Sequence, residues 1–511
     1  MTFKRIFQLA GLLLLIACLF SAFPIGASAS TYVPVGDDAY NMLFRLEAEG
    51  LIKSGLLESL PISRVEIKRL ISEAERNAAK TGPLNKEDEQ DIYLLKERFG
   101  DEQAKVKYVK PLDEAYARYV YASANPRENG LNYAPAANPN GFVYNNDGDD
   151  YGKGSNLRLG FTSLADLGWF SFYINPEYRY TDTNQIDLEK IYGVLSALGF
   201  DLEIGRDSQW WGPGYNGAIN LSNNADPFTM VKLTNDRPAI LPWIFKYLGL
   251  TKFTFFVSQL ESNRIPSNNY LWGLRLDLKP SPYVEIGLTR VALVGGEDRP
   301  GGFSAWWDSF TGQGENTGAS STDPGAQQAG GDVKITLPFK AQPAQIYFEA
   351  AGADACGIYP CRWATISGIY LPRILNFYRI DFRAEYANDH VPKDPNHWYT
   401  RDPYSVSGFT YPANKDLVIG DHMGTDSDDL FLKTDYMIPQ IQGRAYVSYD
   451  REKHNLSGSP QPFQTETTLG IYLYTKNHFG LNGEYSFGKI SDIPGGDQDI
   501  NIFTLDVIRY F

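Results

Sequence analysis

The sequence predicts an all-β transmembrane barrel of about eighteen antiparallel strands, preceded by a small α-helical bundle. Three observations carry that prediction. Beyond about residue 110, apolar and polar residues alternate with period two. Short connections alternate with long ones along the same stretch. The chain finishes on NIFTLDVIRYF, with the aromatic Phe511 as its last residue.

At the N-terminus, Lys4 and Arg5 precede an apolar run from Ile6 to about Phe23 and then Ala27-Ser28-Ala29. A basic region, an apolar region and a small-residue cleavage site predict an exported chain with a signal peptide over 1–29. Leu15-Ile16-Ala17-Cys18 resembles a lipoprotein cleavage box, but the apolar run continues past Cys18. The remainder divides at the change of period into a helical bundle over 30–110, on the periplasmic side, and a barrel over 111–511.

In the first division AYNMLFRLEAEGLI places Ala39, Leu43 and Leu46 at helical spacing. Ser63-Arg64-Val65-Glu66, directly after Pro61, is a capping box that opens a helix running to about Ala79. Asn85 with Asp88 starts another helix, and Gly100 stops it.

The second division reads as strands. In YRIDFRAEY, Tyr378, Ile380, Phe382, Ala384 and Tyr386 face one way and Arg379, Asp381, Arg383 and Glu385 the other. LWGLRLDLK sets Trp272, Leu274, Leu276 and Leu278 against Arg275, Asp277 and Lys279. Alternation alone also fits a soluble sandwich. Loop lengths separate the two: long connections near 125–153, 207–227, 295–331, 388–427, 451–463 and 489–498 alternate with short ones near 282, 342 and 477. A membrane barrel sorts its loops in this way, with short periplasmic turns and long outer loops, and a sandwich has no reason to. Phe503, Leu505, Val507 and Phe511 then form the lipid face of the last strand and resemble a barrel insertion signal, from which Arg509 departs.

A net charge of −14 argues against nucleic acid, whose phosphates need a basic stripe that is not evident in the sequence. Cys356 and Cys361, in CGIYPC, predict a short-loop disulfide in an oxidising compartment. The chain carries no H-E-x-x-H, P-loop or G-x-S-x-G pattern, so no enzyme is expected.

Several stretches resemble the capsule assembly proteins of the Wzi family: GRDSQWWGPGYNGAINLSNNADPF at 205–228, GGEDRPGGFSAWWDSFTG at 295–312 with QQAGGD at 327–332, and VIGDHMGTDSDDL at 418–430. The helical head is similar to that family's N-terminal segment. The resemblance implies an outer-membrane lectin that attaches or organises capsular polysaccharide, with the helical bundle and folded-in loops closing the pore. It also implies contact with outer-membrane lipid and lipopolysaccharide; a monomer is expected. A sugar or oligosaccharide channel is the alternative.

Sugar recognition needs flat apolar faces and a few placed polar groups. Trp306 and Trp307 beside Arg299 and Asp308 offer both, and the alternative for the indoles is loop packing or interfacial anchoring. Trp210 and Trp211, followed by Gly212, Pro213 and Gly214, read as a structural turn that locks a loop into the lumen; Asn223 and Asn224 beside it cap backbone or donate to a sugar. Lumen charges such as Arg275, Asp277, Arg379, Asp381, Arg383 and Glu385 are expected to pair along the wall. No cofactor is predicted. The spacing of His390, His397 and His422, near Asp389, Asp394, Asp421 and Asp426, fits no compact metal pattern, although calcium in these outer loops could bridge to an anionic glycan, as could direct contacts from Arg299, Lys393 and Arg401.

Overall fold

The computed structural model describes residues 29–511 apart from 101–106, 127–141, 236, 265, 313–324, 353–354, 357–358, 361, 392–412, 416, 476–477 and 494–495. The signal segment through Ser28, Cys361, Lys393, His397 and Arg401 therefore lie outside the described residues.

Eighteen strands close into one barrel. The first five are β1 (Tyr108–Ala122), β2 (Gly154–Asp166), β3 (Phe170–Tyr180), β4 (Asn184–Ala197) and β5 (Phe200–Asp207). Next come β6 (Phe228–Asn235), β7 (Leu250–Gln259), β8 (Tyr270–Ser281) and β9 (Val284–Val294). Then follow β10 (Gln327–Leu337), β11 (Ala344–Gly352), β12 (Trp363–Leu371) and β13 (Ile380–Asn388). The last five are β14 (Asp428–Ile438), β15 (Gly443–Lys453), β16 (Phe463–Thr475), β17 (Phe479–Ser491) and β18 (Gln498–Tyr510). Each pairs antiparallel with the next, and β18 returns to β1 with Leu505 opposite Tyr119. No described helix is long and apolar enough to cross a membrane. A closed barrel needs none, because every strand finds its hydrogen-bond partners around the ring.

The alternation read from the sequence is the inside–outside alternation of this wall. Phe503 and Leu505 are exposed on its outer face, whereas Asp506 points inward to Arg118 at 2.7 Å. Arg509, the charge at an apolar position of the last strand, lies over the rings of Phe479 and Phe511 at 4.6 and 5.5 Å. Its guanidinium thus joins an aromatic girdle whose other exposed members, Trp169, Trp243, Tyr247, Tyr283, Phe339 and Phe377, sit in or next to the short connections. Aromatic side chains of this kind mark the interfacial depth of a membrane barrel.

One boundary differs from the expected loop at 295–331. QQAGGD opens β10, with Gln328 opposite Val291 and Asp332 opposite Gly287. Its run of small residues hides the alternation, and Gly287 and Gly331 leave room on the wall for neighbouring side chains.

The helical head consists of α1 (Ala39–Ala48), α2 (Arg64–Thr81) and α3 (Lys86–Phe99). Ser63 accepts from the Glu66 N–H and Asn85 from the Asp88 N–H, so both side chains cap helices. Leu43, Leu46, Leu70, Ala74, Leu95 and Phe99 form its apolar core, which continues into the barrel through Trp210 of the 207–228 loop and Tyr474 of β16. The head is therefore seated in the barrel, not suspended beneath it.

Charge fixes that seat. Arg45 of α1 meets Asp88, Asp91 and the wall residue Asp381. Glu47 takes Lys279 at 2.6 Å and Lys334 at 3.0 Å. Arg64 reaches Asp113, Arg373 reaches Glu49, and Arg444 reaches Asp38. Burial pushes the Glu47 carboxyl up, but the two lysines outweigh it and hold the group down at about 2. A carboxyl held below its ordinary 4.5 stabilises fully above that pH, and the contribution disappears as pH falls toward about 2. Acidification across that window is expected to loosen the head from the wall, read as faster tryptic cleavage in α2 after brief acid exposure. Glu47→Gln should blunt this acid dependence.

Candidate functional site

The outer half of the lumen is built by three segments that turn inward. The first spans 142–151 between β1 and β2, the second 207–228 between β5 and β6, and the third 413–428 before β14. They are held to one another by side chains spent on backbone. Asn145 donates to the Asn216 carbonyl at 2.6 Å, Asn223 to the Asn145 carbonyl at 3.0 Å, and Asn224 to the Val418 carbonyl at 2.9 Å. The amide groups of Asn223 and Asn224 are thus committed to loop closure, and both side chains are buried.

The WWGPG turn sits at the centre of this arrangement. Trp210 and Trp211 pair as a short strand with Leu60 and Ser59 of the head. The Trp211 N–H donates to the Leu221 carbonyl at 3.0 Å, and the Gly212 N–H to the Glu58 carbonyl at 2.9 Å. Trp210 Nε1 closes the turn on the Gly214 carbonyl, just past Pro213, at 3.2 Å. Gly212 has φ +141°, a backbone conformation that strains any residue with a Cβ, and the Glu349 carboxylate packs close against it. Trp211 is fully buried, edge-on to Phe256 with ring centres 5.4 Å apart. The loop is anchored further at Glu385 of β13, whose carboxylate accepts from the backbone N–H groups of Tyr215 and Asn216 at 2.7 and 2.9 Å.

The lumen charges pair, but not along the wall alone. Arg275 meets Asp277 at 2.6 Å and Asp332 at 2.7 Å, as a wall ladder would. Asp381 goes to Arg45 of the head, Glu385 to the loop backbone, and Arg383 lies over the rings of Tyr215 and Tyr370. Arg379 reaches Glu87 of α3 at 3.3 Å. The interior groups thus divide between holding the wall and holding what fills it.

Among the described residues, a lumen cavity of about 480 Å³ lies between the head, the inward loops and the wall of β14–β18 and β1. Tyr144, Tyr151, Tyr215 and Tyr446 line it, together with the polar residues Asn482, Glu484, Glu466, Lys433, Ser448 and Thr468. Aromatic, planar and hydroxylic polar groups converge on one cavity, the chemistry that a polyhydroxylated ligand calls for.

Trp306 and Trp307 lie elsewhere. They belong to α4 (Phe303–Thr311), which packs on the outside of the barrel over outward-facing Trp272 of β8. Trp272 Nε1 donates to Ser309 Oγ at 3.0 Å, Arg290 caps the helix through the Ser309 and Phe310 carbonyls, and Trp306 lies tilted against Tyr270 with ring centres 5.5 Å apart. Phe303 is exposed on the same helix. Asp308 is half-buried within α4 and Arg299 half-buried in the turn before it. Cys356 ends the short strand Ala355–Cys356, which pairs with Tyr359–Pro360 in the connection between β11 and β12; its predicted partner Cys361 falls outside the described residues.

A closed strand wall with an aromatic girdle, its interior occupied by a helical head and inward loops, defines an outer-membrane β-barrel of the plugged type. The chain belongs to the capsule assembly protein Wzi family, whose sequence profile matches residues 132–493. A relative from Klebsiella pneumoniae, an uncharacterized 55.8 kDa protein in the cps region, is 25% identical over 357 residues; the match spans 69% of this chain and 64% of that protein. Among solved structures, the barrel is similar to Wzi from Escherichia coli, an outer membrane protein involved in group 1 capsule assembly and a carbohydrate-binding β-barrel. That likeness has a TM-score of 0.71 at 19% identity, over 94% of this chain and all (100%) of the other. The Pseudomonas aeruginosa protein OprD matches with a TM-score of 0.45 at 10% identity, over 79% of this chain and 97% of that one.

Proposed function

We propose that this protein is an outer-membrane lectin that holds exported capsular polysaccharide at the cell surface. The observation that carries the reading is the filled lumen. A channel keeps a through-path clear, whereas here the head and three loops are fastened into the interior by buried ion pairs and backbone hydrogen bonds. The space left is a polar and aromatic cavity suited to sugar rings. Membership of a capsule-assembly family and the carbohydrate binding of the Escherichia coli barrel point the same way.

The test is binding of the detergent-purified protein to capsular polysaccharide from its own host. Ser448→Phe, which places a ring in the cavity from β15, is expected to weaken binding at least tenfold while the barrel keeps its heat-modifiable mobility. Trp306→Ala with Trp307→Ala is expected to leave binding unchanged, because α4 covers the outside of the wall. The opposite pattern would move the site from the cavity to α4, and absence of binding by the wild-type protein would remove the lectin reading.

A further inference from the structure

We infer that the inward loops are stapled by a divalent transition-metal ion of the zinc class, held by His422, Asp429, Asp450 and Glu452. The four come from two parts of the fold. His422 lies in the 413–428 segment, Asp429 near the start of β14, and Asp450 and Glu452 on one face of β15 opposite it. All four are more than nine-tenths buried. The ligating atoms of His422, Asp429 and Asp450 all lie within 4.8 Å of one another.

Geometry selects the class of ion. His422 Nε2 stands 3.3 Å from Glu452 Oε1, 3.8 Å from Asp450 Oδ2 and 3.9 Å from Asp429 Oδ2. Bonds of about 2.0–2.2 Å to a tetrahedral zinc would separate its ligands by roughly 3.3–3.5 Å; the pair of His422 and Glu452 already has that spacing, whereas Asp429 and Asp450 would have to draw in toward the ion. One imidazole with carboxylates suits zinc, whereas calcium takes six to eight oxygens and no nitrogen.

Hydrogen bonding leaves part of the cluster unmet. The ring nitrogens of His422 have ion-pair contacts with carboxylates but no well-directed hydrogen bond, and Asp429 Oδ1 and Asp450 Oδ1 accept none, whereas Asp450 Oδ2 accepts from Tyr144 and Asn216. Among the described residues, the cations near Asp429, Asp450 and Glu452 are histidines; no Lys or Arg ion-pairs with them. Three carboxylates sharing so few cations, away from water, are costly unless a further positive charge is present. A divalent ion supplies it.

The surroundings match a metal's outer shell. Asp421 Oδ1 lies 3.6 Å from His422 Nδ1, on the side where a carboxylate orients a ligating imidazole. Asn216 donates to Asp429 Oδ2 at 3.0 Å and to Asp450 Oδ2 at 3.2 Å, and His454 meets the second Glu452 oxygen at 3.0 Å. Tyr144 stacks on the His422 ring with centres 3.8 Å apart and closes the cluster off beside the lumen cavity. One ion there ties all three inward segments to β14 and β15, whatever ligand the cavity takes.

The experiment uses the full-length protein in detergent, stripped with a chelator and titrated with Zn²⁺, with bound metal counted after gel filtration. One equivalent is expected, undisturbed by millimolar Ca²⁺, and Co²⁺ in its place should give the intense visible absorption of a tetrahedral site. Zinc should also slow tryptic cleavage after Lys415. His422→Gln is expected to abolish stoichiometric binding while retaining heat-modifiable mobility; should that variant fail to fold, the near-isosteric Asp450→Asn carries the same reading. No binding by the wild-type protein, or one equivalent retained in the folded variants, would overturn the proposal.

Discussion

Arg45→Ala is expected to release the head from the barrel. The guanidinium is almost fully buried and is shared by Asp88, Asp91 and Asp381, two carboxylates of the head and one of the wall. Removing it leaves three buried carboxylates facing one another. Breaking a buried pair from one side typically costs about 3–5 kcal/mol, because the abandoned charge keeps its desolvation penalty. The strand wall does not depend on this contact, so the loss should fall on docking. Trypsin should cleave the head of the variant many times faster than that of the wild-type protein, while the barrel keeps its heat-modifiable mobility. Equal cleavage rates would mean that the apolar contacts of Leu43, Leu46 and Trp210 hold the head without the charge.

Trp211→Ala should have an effect of similar size at the other end of the plug. The indole is fully buried against the wall residue Phe256, and the residue's backbone pairs with Ser59 of the head. Truncating a buried tryptophan costs about 3–5 kcal/mol through lost contact and the cavity left behind. Here the cost falls on the fold of the 207–228 loop, whose hydrogen bonds at Gly212 and Leu221 are set by the indole's position. The expected readout is a lower urea midpoint for the Trp-fluorescence transition and loss of polysaccharide binding, because Tyr215 and Asn216 would leave the cavity. A midpoint within error of wild type would show that the loop is held by its hydrogen bonds alone.

The strands were legible because one face of each meets hydrocarbon. That requirement writes an alternation into segments such as 378–386 and 271–279 that survives any choice of lumen residue. Capping at Ser63 and Asn85 likewise depends on residues within one turn of the helix start, so the helices of the head could be read locally. The seating of the head could not. Arg45 and Glu47 look like solvent-facing charges on an amphipathic helix, and their partners Asp381, Lys279 and Lys334 lie hundreds of residues away. The position of α4 was hidden for a related reason: Trp272 reads as a lipid-facing residue, and nothing local says that a helix covers it. The carboxylates at Asp429, Asp450 and Glu452 each look like ordinary lumen positions on their own strands. Only the pairing of β14 with β15, together with a loop histidine, brings them together.

Single-protein recording in planar lipid bilayers tests the filled lumen most directly. The intact protein should carry no steady current under an applied voltage, because the head and the three inward loops occupy the path between the two ends of the wall. A stable, ohmic conductance from the wild-type protein, of the size seen for an open barrel of this circumference, would contradict the account.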